Sequence, residues 1–164
     1  MIFDRLLALG VHVRLDGADV VLSGAVTDEI VPEVRRAKPA LVVELLRRRA
    51  RGLKDFIDGD SSYEERIRKM AEYQETVEKL QEAEVRLFDS WKASGFTVLW
   101  SVLLGEFLVV GDGPPPAGSE DFTVYTWSEV EALKDAAPDQ VKRVHQIKRA
   151  FAGRVETVAE KATA

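Results

Sequence analysis

The strongest constraint in this chain is a short stretch, Asp16-Gly17-Ala18-Asp19, set between two apolar-rich runs, Val11 to Leu15 and Val20 to Ser23. A Gly beside an Asp reverses a chain tightly, because both tolerate backbone angles that other residues avoid. The two runs therefore read as a β-hairpin. Val11, Val13 and Leu15 alternate with His12 and Arg14, which turns one face toward a core and the other toward water. Ahead of the hairpin, Ile2, Phe3, Leu6, Leu7 and Leu9 form an apolar helical segment that Gly10 stops. Behind it, Thr27-Asp28-Glu29 opens a helix expected to run to about Arg36. Pro39 is expected to break the chain there and to start a third helix, from Ala40 to Arg51.

This order of elements, carried by Leu6 to Gly24 and by Val31 to Leu46 with Lys38 ahead of the last helix, resembles the TubC-type N-terminal docking domain of polyketide and peptide megasynthases. The resemblance covers about the first third of the chain, and no synthase domain follows in this sequence. It implies a small α/β dimer whose hairpin edge receives a short, often acidic, peptide from a partner. Carried over residue by residue, the partner-binding surface is His12 and Arg14 on the first strand with Val20, Val21 and Leu22 on the second. Arg14 is the electrostatic anchor for an acidic segment. Lys38 matches the family's lysine and reads as a helix-start or packing feature.

The remaining chain extends the same α+β class. Residues 1–54 form the docking-like module. Residues 55–61, rich in Asp, Gly and Ser, form an expected hinge that Phe56 and Ile57 anchor to a neighbour. Ser61 or Ser62 caps a long helix over 62–94, supported by opposite charges four apart, such as Glu75 with Lys79. In heptads, Met70, Val77 and Trp91 share one seam position and Tyr73, Leu80 and Leu87 the other, with Glu84 interrupting. A helix this long is expected to pack on another of matching length. The chain offers no partner of matching length, so, together with the dimer that the resemblance implies, the seam points to a second copy and a coiled-coil homodimer.

Residues 95–153 read as a small α+β domain. Phe96 to Asp112 form a second hairpin turning at Gly105-Glu106, apolar enough for burial on both faces. A proline-rich loop follows, then a strand over Phe122 to Trp127 and a helix that Thr126 or Ser128 caps, each with a Glu three residues on. Pro138 starts the last helix, with Val141, Val144, Ile147 and Phe151 as its apolar stripe. Residues 154–164 are expected to fray.

Chemistry is sparse. The 164 residues include no cysteine, which removes disulfides, thiolate catalysis and Cys-based zinc sites. The two histidines, His12 and His145, lie in different regions, short of a metal ligand set. There is no nucleophile elbow, phosphate loop or dinucleotide fingerprint. No catalytic residue, metal or cofactor is assigned. No apolar run approaches the roughly 18 residues of a membrane span, and the acidic Asp4 does not suit a signal peptide. These features fit a cytoplasmic protein. Trp91, Trp100 and Trp127 adjoin apolar runs and are expected in a core or interface.

Two basic groups remain. Arg47, Arg48, Arg49 and Arg51 are expected at the C-terminal end of the third helix, where they complement its dipole. Lys142, Arg143, Lys148 and Arg149 lie opposite the stripe of the last helix. Either group could meet phosphate, and a nucleic-acid-associated accessory factor of a plasmid or phage replication system is the alternative reading. The net charge of −5 weighs against it. The leading expectation is a non-enzymatic, dimeric docking or adaptor protein that captures a partner peptide at its first hairpin.

Overall fold

Phe3 and Leu6 stand three apart, on one side of helix α1 (Ile2–Ala8), and both are buried. The computed structural model that contains them describes residues 2–163, with side chains from Ile2 to Phe151. The fold is α+β, and the chain divides into two units, Met1–Ser90 and Trp91–Ala164.

In the first unit α1 leads into strands β1 (Val11–Asp16) and β2 (Asp19–Gly24), an antiparallel pair in which Val13 faces Leu22 and Arg14 faces Val21. Gly17 takes φ 61°, the first residue of a two-residue turn that suits the twist of the flanking strands. Gly24 is required for a different reason: a Cβ there would lie 2.3 Å from the Gly10 carbonyl oxygen.

Helix α2 (Ile30–Asp58) corrects the expectation of two helices divided at Pro39. Pro39 lies inside one continuous helix of 29 residues. An interior proline costs about 3 kcal/mol through its missing N–H and its clash with the preceding turn. Burial along the whole helix offsets that cost. Ile30, Val34, Ala37 and Leu41 join Phe3, Leu6 and Val11 in one core. Val43, Leu46, Ala50 and Leu53 then continue the buried stripe to the last turns. The helix ends only at Asp58, so the expected hinge contracts to residues 59–62, and Phe56 is exposed rather than anchored.

Helix α3 (Tyr63–Ala93) begins at Ser62. The Ser62 hydroxyl accepts from the Glu65 backbone N–H at 3.4 Å, and the Glu65 carboxylate accepts from the Ser62 N–H at 3.3 Å, a reciprocal cap. The connection from α2 is short, and the two helices return antiparallel, tied by Arg49 to Glu72 and Arg47 to Glu84, each at 2.9 Å. At about 46 Å, α3 does need a long neighbour, and α2 is that neighbour. The inference from an unpartnered seam to a second copy thus loses its premise. The seam also shifts: Met70 is exposed, while Thr76 and Ala83 are buried beside the half-buried Tyr73, Val77 and Leu80. Glu84 interrupts the apolar seam because it receives Arg47.

In the second unit, strands β3 (Thr97–Ser101) and β4 (Glu106–Val110) pair antiparallel, and β5 (Thr123–Tyr125) pairs parallel to β4. Helices α4 (Trp127–Leu133) and α5 (Pro138–Thr163) follow. Thr126 and Glu129 form the capping box that starts α4. Trp91 is buried here; its indole N–H donates to the Ala117 carbonyl at 2.9 Å and its ring meets Phe122 edge-on. It is thus a core residue of this unit, not part of a dimer seam. The β3–β4 hairpin is not buried on both faces: Leu99, Trp100 and Phe107 are exposed. On α5 the inward face is Val141, Val144, His145 and Lys148, whereas Ile147 and Phe151 are exposed. The expected frayed tail, 154–164, falls where side chains lie outside the described residues.

Candidate functional site

The first hairpin presents an outer face built by simple alternation. Val11 is fully buried, Val13 and Leu15 are half-buried, and His12 and Arg14 are exposed between them. Register then decides which residues of β2 share that face. His12 stands opposite Ser23 and Arg14 opposite Val21. Val20 and Leu22 pair with Leu15 and Val13 instead, and both pack on the core. The partner-binding set His12, Arg14, Val20, Val21 and Leu22 is therefore corrected: Val20 and Leu22 point inward, and the outer face is His12, Arg14, Val21 and Ser23. Among the described residues the sheet has two strands, so each leaves an outer ladder edge with no strand beside it.

Electrostatics separates Arg14 from most of its neighbours. Arg5 pairs with Glu33 at 2.7 Å, and Arg48 bridges Glu44 and Asp4 at 2.5 and 3.0 Å while its guanidinium lies over the Phe3 ring. Arg47 and Arg49 hold Glu84 and Glu72. The hydrogen bonds from Lys69 and Arg49 keep the Glu72 carboxyl below the usual carboxylate range. Arg14 has no ion-pair partner among the described residues.

These pairs also revise the basic group at 47–51. Its arginines lie within α2, not at its C-terminal end, so the helix-dipole argument does not apply. Three of them are committed to carboxylates of the same unit. Lys38 is likewise not a mere helix-start feature. It reaches the hairpin turn and donates to Asp19 at 2.7 Å, holding that carboxyl below its ordinary range.

The second unit holds a cluster that sequence spacing missed. The His145 ring is buried, with Nδ1 2.8 Å from the Tyr125 hydroxyl and Nε2 2.5 Å from Glu106, off the hydrogen-bond line. Arg149 reaches the other Glu106 oxygen at 3.2 Å. Lys148 binds Glu129 at 2.5 Å and lies over the Tyr125 ring. Burial, then the charges of Glu129 and Glu106, push the Tyr125 hydroxyl above its ordinary pKa, which makes it a poor nucleophile. Burial raises the Glu129 carboxyl, but the Lys148 and Thr126 hydrogen bonds outweigh it and leave the net shift downward. The arrangement clamps α5 to β4 and β5. It also occupies Lys148 and Arg149, half of the second basic group, while Lys142 and Arg143 remain exposed. Among the described residues no group of three or more His, Asp or Glu is placed to hold a metal ion. Among the described residues no helix is long and apolar enough to cross a membrane.

No family model, curated protein or solved structure matches this chain.

Proposed function

We propose that this protein is a non-enzymatic docking adaptor whose first hairpin captures an extended, acidic peptide by strand addition. The observation that carries the reading is Arg14: it is exposed and unpaired on the outer face of a two-stranded sheet, beside Val21. An incoming strand would gain main-chain hydrogen bonds along an open edge. Added at the free edge of β1, it would place alternate side chains on the outer face, where an acidic residue meets Arg14. The resemblance to TubC-type docking domains supports His12, Arg14 and Val21 of this surface, but not Val20 and Leu22, which point inward.

The test is calorimetric titration of the full chain with a short peptide alternating acidic and β-branched residues. Arg14→Glu turns attraction into repulsion at an exposed position. Affinity is expected to fall by about tenfold, since an exposed pair contributes about 0–1 kcal/mol and its reversal adds a similar penalty. The loss should shrink in high salt. Equal binding by the variant would move the docking surface away from this hairpin.

A further inference from the structure

Behind the hairpin, on the side away from Arg14, lies a second feature. The hairpin turn, α2 and α3 line a half-open cavity of about 570 Å³, within the range of small-molecule sites. Its apolar lining comes from Leu15, Pro39, Val42, Leu46 and Ala83. Its polar lining is mostly cationic: Arg35 and Lys38 from α2, and Lys79 and Arg86 from α3, against Asp19 and Glu82. Within the lining itself, four cations stand against two carboxylates.

Lys38 is held by Asp19 and Lys79 by Glu75, which stands outside the lining, so with Glu82 counted against the two remaining cations the net surplus is one positive charge. Arg35 and Arg86, one on each long helix, have no ion-pair partner among the described residues.

We infer that this cavity is a binding site for an amphipathic monoanion, a molecule with an alkyl or aryl body and a single carboxylate or sulfonate head. The body fills the space between Leu15, Val42, Leu46 and Ala83, removing apolar surface from water. The head lies between the guanidiniums of Arg35 and Arg86, which offer forked donors suited to a planar or tetrahedral anion. The site is separate from the outer face of the hairpin and does not depend on peptide capture there.

The experiment titrates the full chain with decanoate and, separately, with decanol, which has the same body and no charge. The wild type is expected to prefer decanoate by about tenfold, the combined effect of two exposed cations. Arg35→Ala/Arg86→Ala, at exposed positions, should erase that preference and leave decanol binding unchanged. Val42→Trp, which fills the cavity, should abolish binding of both, with circular dichroism reporting whether it folds. Equal affinity for the two ligands in the wild type, no binding of either, or unchanged preference in the double arginine variant would each overturn the proposal. An acidic peptide that displaces decanoate from the wild type but not from the double arginine variant would overturn it in favour of a peptide site. The arginine variant alone decides the matter if Val42→Trp does not fold.

Discussion

The two hairpins of this chain share a shape and differ in what stands behind and in front of them. Behind β1–β2 the core is apolar, made of Phe3, Leu6, Val11, Ile30, Val34, Ala37 and Leu41, with Lys38 bracing the turn through Asp19. Behind β4 and β5 the support includes a polar network, in which Glu106, Tyr125 and buried His145 join the sheet to α5. In front, the first hairpin shows His12 and Arg14, while the second shows the edge-on aromatic pair Trp100 and Phe107, 4.8 Å apart. A charge on an open strand discourages indiscriminate edge pairing and selects an oppositely charged partner. The aromatic pair lacks that selectivity. The first hairpin is therefore the better candidate for a specific partner, and the second for a structural role.

Breaking each support should reveal its kind. Leu41 has no exposed surface, so Leu41→Ala removes a buried side chain where α2 backs the first hairpin. A loss of about 2–5 kcal/mol is expected by urea unfolding. Tyr125→Phe removes only a hydroxyl and leaves the buried His145 Nδ1 without its partner. The expected loss is smaller, about 1–3 kcal/mol. The same hydroxyl gives the second unit a pH signature. Because folding raises its pKa, the native state keeps that proton to higher pH than the unfolded chain does. This contribution is complete below the ordinary value of 10.0 and is lost as pH rises from there through the raised native value. Unfolding curves on either side of that pH should diverge for the wild type and converge toward each other in Tyr125→Phe.

The smallest effect belongs to the turn of the first hairpin. Lys38→Ala removes the hydrogen bond and charge that depress Asp19. The Asp19 carboxyl should then titrate nearer its ordinary value of 3.8, with little change in global stability. Carboxyl chemical shifts followed against pH would show this. An unmoved Asp19 would mean that Lys38 does not brace the turn.

The contrast also explains what the sequence made legible. Local periodicity located α1, both strands of the first hairpin and the start of α3, because each depends on residues within a few positions of one another. The error at β2 came from reading Val20, Val21 and Leu22 as one surface, although pairing with Leu15 and Val13 turns the outer two inward. Pro39 misled for the opposite reason. Its local penalty is real, but the buried residues on both sides of it carry the helix through. Reading two short helices there left α3 without a partner of matching length, one of the two grounds for a second copy; the other was the resemblance. The His145 cluster draws on Glu106, Tyr125 and Arg149, whose meeting depends on the sheet and on α5. No spacing within any one element announces it.

Both hairpins leave an open edge, so amide hydrogen exchange across the whole chain can ask directly which one docks a peptide. The full-length protein would be followed with and without the short peptide of alternating acidic and β-branched residues. Capture at the first hairpin predicts added protection for backbone amides within Val11–Asp16 or Asp19–Gly24 and none within Thr97–Ser101. The added protection should be reduced in Arg14→Glu. Protection confined to Thr97–Ser101, or a bound peptide that slows exchange in neither hairpin, would contradict the assignment of the docking edge.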